Sequence, residues 1–134
     1  LRRYGADDAF ARLFNDLLDA VPHFNYLRLP ELFCGFQRDA ERVSIPVAYP
    51  VSCSPQAWAS GTIPFLLTAL LGVEPDATRR QLRLRPHLPA WLPEVRLDGL
   101  RFAGQTVDLV LRGNGADVEL SAQASGDVDV CLLG

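Results

Sequence analysis

The chain lacks several features that would direct it to common partners. It contains no Met and no Lys, so all 13 positive charges are Arg, and the formal net charge of its 134 residues is −3. Without a basic excess, we expect no nucleic-acid partner and no attraction to an anionic membrane. The longest apolar stretch, residues 63–73, is too short to cross a bilayer. The composition is that of an ordinary globular protein, with 49% hydrophobic and 22% charged residues.

Motifs for metals, cofactors and nucleophilic catalysis are missing as well. The three cysteines, Cys34, Cys53 and Cys131, form no CxxC pair, and the two histidines share no ligand spacing with them. We therefore predict no metal and no cofactor, and reduced thiols in a cytoplasmic protein. A Gly-rich phosphate loop and a G-x-S-x-G elbow are both absent, which argues against nucleotide binding and a hydrolase triad.

The first third of the chain combines one amphipathic helix with a long loop. Apolar residues recur at helical spacing over 6–21, and Pro22 is typical of a helix end, so we predict a helix there. Residues 23–51 show no sustained period and contain three prolines. Such a long loop inside a compact domain is usually functional.

A second helix is predicted over 54–71. Ser54 followed by Pro is a typical helix start, and Gly72 is a typical helix end. The segment is apolar on almost every side, which predicts burial all round, while Gly61 and Pro64 should kink or interrupt it. One amphipathic helix and a small sheet cannot cover such a helix. Because the chain also lacks an initial Met, we expect it to be a C-terminal fragment whose partner helices lie upstream.

After Arg80 the hydrophobic period changes from the helical value to two. Alternation of this kind is typical of half-buried strands, and the glycines between the segments are typical of turns. We therefore predict an antiparallel meander. Helices first and strands last predict an α+β protein with regions 1–74 and 75–134. The alternating segments are 81–85, 95–97, 107–111, 118–120 and 128–130.

One carboxylate stands out in the long loop. Glu31 lies in the run R-L-P-E-L-F-C-G, among apolar residues where a charge is expensive to hold. It is either a structural residue, paired for example with Arg28, or a residue with a chemical task. Aromatic residues occur nearby, and a sugar site combines rings that stack on pyranose faces with a carboxylate that transfers protons. From the residues alone both readings stay open, and the structural one is favoured.

A family resemblance changes that balance. The run R-L-P-E-L-F-C-G-F at 28–36 and the run C-S-P-Q-A-W at 53–58 resemble the C-terminal end of the glycogen-debranching, or amylo-α-1,6-glucosidase, family. Segment 82–95, L-R-L-R-P-H-L-P-A-W-L-P-E-V, is similar to the closing β-region of that family. The resemblance implies a glucoamylase- and trehalase-like (α/α)6 barrel. The expected fold is thus α+β, the last helices of that barrel followed by a small antiparallel meander.

The resemblance also implies an activity and a set of site residues. Glu31-Leu32-Phe33 matches the Glu-x-aromatic pattern of the general base in this group, so the implied reaction is hydrolysis of an α-glucosidic bond, in debranching the α-1,6 link, with inversion. Glu31 would be the base, and the acid would be an Asp that this sequence does not supply. We therefore expect the 134 residues alone to be inactive. The expected substrate contacts are Phe33, Tyr49, Gln56 and Trp58, each of which could also serve only for packing.

Two alternatives and a set of partners complete these expectations. The region 81–132 could be a non-catalytic carbohydrate-binding or structural module, although its exposed strand positions are charged rather than aromatic. A related α-glycosidase acting on trehalose is the alternative within enzymes. The predicted partners are a glucan or oligosaccharide and the missing upstream part of the same protein. Self-association is also expected, through apolar surface around residues 55–71.

Overall fold

The computed structural model describes residues 1–37, 39 and 41–133. These residues form two α-helices, four short 3-10 turns and six strands. The helices are α1 (Asp7–Ala20) and α2 (Thr62–Leu71), and the 3-10 turns are Arg2–Tyr4, Val21–His23, Asn25–Leu27 and Trp58–Gly61. The strands are β1 (Glu74–Asp76), β2 (Gln81–Leu84), β3 (Glu94–Phe102), β4 (Gln105–Asn114), β5 (Asp117–Ala124) and β6 (Asp129–Leu132).

The chain divides into two compact units. One comprises Leu1–Asp8 with Leu67–Gly134, and the other comprises Ala9–Leu66. Both sheets belong to the first of these, whereas the second contains most of α1 and the long loop. Within the described ranges, no helix is both long enough and apolar enough to cross a bilayer.

Helix α1 confirms the helical period of the N-terminal segment. Asp7 and Asp8 occupy its first turn, where carboxylates interact favourably with the positive end of the helix dipole. Phe10 and Phe14, one turn apart, are buried with ring centroids 6.1 Å from each other. Since these two rings lie on one helical face, that face forms the core of the unit, and Ala20 is buried at its end.

The long loop is held by backbone pairing rather than by regular strands. Phe33 and Ala48 form an isolated antiparallel bridge, and the Cys34 N–H donates to the Val47 carbonyl at 2.8 Å. The Tyr49 N–H also donates to a backbone carbonyl of this segment, that of Leu32. This short ladder fixes the position of the segment that carries Glu31.

The structure shows that the prediction for the second helix was wrong about where it starts and how far it is buried. The α-helix begins at Thr62 rather than Ser54, after the 3-10 turn Trp58–Gly61. Pro64 falls in the first turn of α2, where a backbone N–H needs no helical partner, so it is tolerated there. Burial all round is also wrong, because Phe65 is 69% exposed while Leu66 is buried. An apolar sequence does not bury a face that no other element covers.

The C-terminal end of α2 is closed as expected. Gly72 adopts a φ of +57°, the left-handed conformation typical of a helix C-cap, and its N–H donates to the Ala69 carbonyl at 3.2 Å. The Arg85 N–H then donates to the carbonyls of Leu71 and Gly72, at 3.0 and 3.2 Å. The segment after β2 therefore lies directly against this helix end.

Arg2 strengthens the same helix end from the N-terminus of the chain. Its Nε donates to the Ala69 carbonyl at 3.3 Å, and one terminal nitrogen donates to the Arg85 carbonyl at 2.6 Å. The other terminal nitrogen forms an ion pair with Asp7, and both side chains are largely buried. A cation at a helix C-terminus interacts favourably with the dipole, so Arg2 stabilises the end of α2.

Strands β3, β4 and β5 form an antiparallel sheet in that order, and this part of the predicted meander is correct. Its central strand alternates as the sequence predicts: Val107, Leu109 and Leu111 are fully buried, whereas Asp108 and Arg112, on the opposite face, are exposed. Because successive strand residues point to opposite faces, this alternation gives the sheet one apolar face.

Strand β2 departs from the predicted meander. It pairs with β1 on one side and with β6 on the other, and the β2–β6 pair is parallel. Leu82 lies opposite Val130 in this pair, and Leu82 and Leu84 are both buried. The described residues therefore form two three-stranded sheets, since β6 returns to pair with β2 and not with β5.

The expected fold, the last helices of an (α/α)6 barrel followed by a small antiparallel meander, is therefore wrong. The described residues form a small α+β domain with two α-helices and no remnant of a helical barrel. A barrel needs helices paired side by side, but the described residues between α1 and α2 form only 3-10 turns and isolated bridges. The helical period over 6–21 predicted α1 correctly, whereas the assembly of helices into a barrel came from the resemblance.

Candidate functional site

Glu31 is anchored to Cys53 through both its backbone and its side chain. The Glu31 N–H donates to the Cys53 carbonyl at 3.0 Å, and the Cys53 N–H donates to Glu31 Oε2 at 3.2 Å. The first bond fixes the main chain of Glu31, and the second orients its carboxylate. As one hydrogen bond is made to Oε2, Oε1 is left to accept from a water or a ligand.

The structure gives Glu31 a different environment from that of a salt-bridged residue. Its side chain is half-buried, and Arg28, the partner considered from the sequence, is exposed. Among the residues described here, none forms an ion pair with Glu31. The carboxylate is therefore held by a backbone amide, which positions it without neutralising it.

Glu31 lines an open cavity of about 390 Å³. This volume lies within the usual range of small-ligand sites, and apart from Glu31 the lining side chains are uncharged. One carboxylate among mostly apolar groups is an arrangement that can orient a polar ligand with an apolar face. The lining residues are Leu17, Leu29, Pro30, Glu31, Phe33, Trp58, Ala59 and Thr62.

Two of the four expected substrate contacts lie at this cavity. Trp58 is 72% exposed and begins the 3-10 turn that precedes α2, so its ring is open to solvent. Phe33 is 37% exposed and is packed edge-on against Phe24, with ring centroids 5.5 Å apart and planes at 75°. The structure thus brings Glu31, Phe33 and Trp58 to one cavity, which is lined by two rings and one carboxylate.

Tyr49 and Gln56 are not among the residues that line the cavity. The Gln56 Oε1 accepts a hydrogen bond from the Ala57 N–H at 2.8 Å, so its amide is folded back on the main chain. The Tyr49 carbonyl accepts from both the N–H and the hydroxyl of Ser52, and its ring is partly exposed. These contacts brace the loop, and substrate contacts by the two side chains stay a prediction.

Comparison of the chain with protein-family models, with curated proteins and with solved structures gives no match. The case for a site is therefore made by Glu31, its cavity and the two rings.

The cavity provides one ionisable group for chemistry. No second carboxylate is among its lining residues. In the part of the chain that the structure describes, no group of three or more His, Cys, Asp or Glu side chains could hold a metal. The cysteines are unpaired: Cys34 and Cys131 are half-buried and Cys53 is exposed. What the arrangement can do is accept a proton from a water or hydroxyl held beside two rings.

Sequence reasoning missed the group that positions Glu31. Cys53 takes part through its backbone amide and carbonyl, and a backbone contribution leaves no signal in side-chain patterns. Leu17 and Thr62 also line the cavity, from α1 and the first residue of α2. The helical period predicts the apolar face of α1, but it does not predict which residue of that face meets the loop.

The sheet β3–β4–β5 offers a less suitable surface for sugars. Four of its exposed charges form two pairs: Arg96 Nε lies 2.9 Å from both carboxylate oxygens of Asp98, and Arg112 Nε lies 2.8 Å from Glu94 Oε2. Paired surface charges neither stack on pyranose rings nor attract a neutral ligand. No observation on these strands therefore favours the binding-module alternative.

Proposed function

We propose that the Glu31 cavity is the base side of a glycoside hydrolase site that cleaves α-glucosidic bonds with inversion. The observation that carries this proposal is the orientation of the carboxylate: Oε2 accepts the Cys53 N–H, and the cavity beside Glu31 is flanked by Phe33 and the exposed Trp58. Aromatic faces suit the apolar faces of a pyranose, and an oriented carboxylate suits water activation. The motif resemblance favours the same role for Glu31.

In this mechanism Glu31 acts on a water rather than on the sugar. The free oxygen of the carboxylate accepts a proton from that water as its oxygen attacks the anomeric carbon. The glycosidic C–O bond breaks on the opposite face, and the leaving oxygen takes a proton from a carboxylic acid. Inversion follows because the new bond and the broken bond lie on opposite faces of the ring.

The proposal requires a second carboxyl group, roughly 6.5 to 9.5 Å from the first. No other Asp or Glu is among the residues that line the cavity. We therefore propose that another polypeptide segment, the upstream part of the same protein, supplies the acid. The 134-residue chain then binds sugar without turning it over.

Sugar binding can be followed through the tryptophan at the cavity. In a Trp91→Phe background, Trp58 is the single tryptophan, so its fluorescence reports on the cavity alone. Titration with isomaltose and with maltose should change its emission in a saturable way, and Trp58→Ala should abolish binding measured by calorimetry. Glu31→Gln should retain binding, since Gln can still accept the Cys53 N–H. Absence of saturable binding of either sugar would rule out a sugar site at this cavity.

Assays of hydrolysis distinguish a role of Glu31 as the general base from a role in sugar binding alone. The 134 residues should release no glucose from isomaltose or from glycogen limit dextrin, and turnover by this chain alone would refute the half-site proposal. In an enzyme that contains this chain and the acid, Glu31→Gln should lower kcat by orders of magnitude and leave KM nearly unchanged, because the water loses its proton acceptor. Near-normal kcat would show that Glu31 is not the base.

A further inference from the structure

A second cavity shares two lining residues, Leu17 and Phe33, with the Glu31 cavity. Its volume is about 280 Å³, roughly twice that of an engineered cavity that takes up benzene. It is open to solvent between α1 and the long loop. Its lining is mostly apolar and includes Leu13, Phe36, Val43 and Ile45, with Asp16 and Cys34 as the polar side chains.

The rim of this second cavity carries negative charge. Asp16 is exposed and is the one ionised side chain of the lining, and in the described part of the chain it forms no salt bridge. The cavity also lies beside the C-terminal half of α1, where the helix dipole is negative and where the last turn contains no basic residue. Both contributions favour a cation at the rim.

We infer that the second cavity is a binding site for a small amphiphile, an apolar chain or ring with one cationic group. The apolar part fills the space between α1 and the loop and removes the exposed side chains Phe36 and Ile45 from water. The cationic group remains at the rim and pairs with Asp16. This site does not depend on the proposed glycosidase function, because Glu31 is not part of its lining.

The lining discriminates against other ligand classes. A sugar would find few hydrogen-bonding side chains in this cavity, since Asp16 and the thiol of Cys34 are the polar ones. A fatty acid would bring its carboxylate next to Asp16 and the negative end of α1, where like charges repel. An uncharged alcohol of the same length would gain the apolar contacts but not the ion pair.

The test compares octylammonium, 1-octanol and octanoate, all below their aggregation limits. Cys34 lines the cavity, so a bound ligand should slow its alkylation by iodoacetamide. A variant with Cys53→Ser and Cys131→Ser leaves Cys34 as the single thiol and keeps the backbone contacts of residue 53. We expect octylammonium to protect Cys34 at about two- to fivefold lower concentration than octanol, the ratio for one partly exposed ion pair.

Substitution of an exposed rim residue isolates the charge. Asp16→Asn removes the ion pair but not the helix dipole, so it should reduce the preference for octylammonium over octanol, and Asp16→Arg should make octanoate the tightest of the three. Asp19→Asn is the matched control on the same helix, because Asp19 is outside the lining and accepts a hydrogen bond from Asn15. It should preserve the preference for octylammonium. If all three ligands protect Cys34 equally in the protein that retains Asp16, or if none protects it, the inference is overturned.

Discussion

The closure of α2 by Gly72 leads to a quantitative prediction about stability. A Cβ at this position would lie 2.4 Å from the Arg85 carbonyl oxygen and 3.0 Å from the Arg85 carbonyl carbon and Cβ. Gly72 also has a φ of +57°, a conformation that L-residues with a side chain adopt at a cost of about 1 to 2 kcal/mol. Gly72→Ala therefore meets both backbone strain and a backbone clash.

The clash has a further consequence for hydrogen bonds. To relieve it, the Arg85 segment must move away from the helix end. This weakens the bonds from the Arg85 N–H to the carbonyls of Leu71 and Gly72, which are 3.0 and 3.2 Å long. Loss of one such bond costs about 1 kcal/mol. With the strain included, we expect Gly72→Ala to lower the free energy of unfolding by about 2 to 4 kcal/mol.

Gly99 provides the matched control in the same unit. Its φ is +71°, but an added Cβ would meet no atom within 4 Å, and its N–H bond to Asp108 Oδ1 does not depend on the side chain. Gly99→Ala should cost the strain alone, about 1 to 2 kcal/mol. Urea denaturation followed by far-UV circular dichroism measures both variants. If Gly72→Ala costs no more than Gly99→Ala, the predicted clash with Arg85 is absent and the reasoning fails.

Substitutions at three further positions test other contacts. Glu31→Ala should cost about 1 kcal/mol in urea denaturation, through loss of the Cys53 N–H bond, and Glu31→Gln should cost less than half of that; equal losses would indicate that the negative charge itself is structural. Arg2→Met should cost about 2 kcal/mol, because it removes the bonds that Arg2 donates to the Ala69 and Arg85 carbonyls and its ion pair with Asp7; a loss below about 0.5 kcal/mol would contradict this. The backbone N–H of Arg79 donates to Asp76 and holds the pKa of that carboxyl below its usual value of 3.8. The stabilisation that comes from this lowered pKa is fully present above pH 3.8 and is lost as the pH falls through the lowered pKa. Asp76→Asn should therefore make the free energy of unfolding fall less steeply with pH on the acid side. An unchanged acid limb would refute that assignment.

Patterns of side chains in the sequence predicted part of the site. The run around Glu31 and the aromatic residues downstream of it predict a carboxylate and rings in a loop, and the structure brings Glu31, Phe33 and Trp58 to one cavity. It does not bring Tyr49 or Gln56 there. The difference arises because the positions of loop residues depend on backbone pairing, such as the Phe33–Ala48 bridge, which has no periodic signature.

The expectation of burial around α2 failed for a related reason. Apolar composition reports how favourable burial would be, but it does not create an element to cover the surface. Leu66 and Leu70 are covered and Phe65 is not, although all three are strongly apolar. Self-association through this exposed surface stays a prediction, which analytical ultracentrifugation would check.

The sequence by itself determined the local elements of this protein. Helical spacing predicts α1, alternation predicts β4, and the glycine at position 72 predicts the end of α2, because each depends on neighbours within a turn or a strand. Only the tertiary structure decided that β6 pairs parallel to β2, that the Cys53 amide holds Glu31, and that residues of α1 and the loop come together at two cavities. These features join residues distant in the chain, and their free energy comes from contacts that no local window contains.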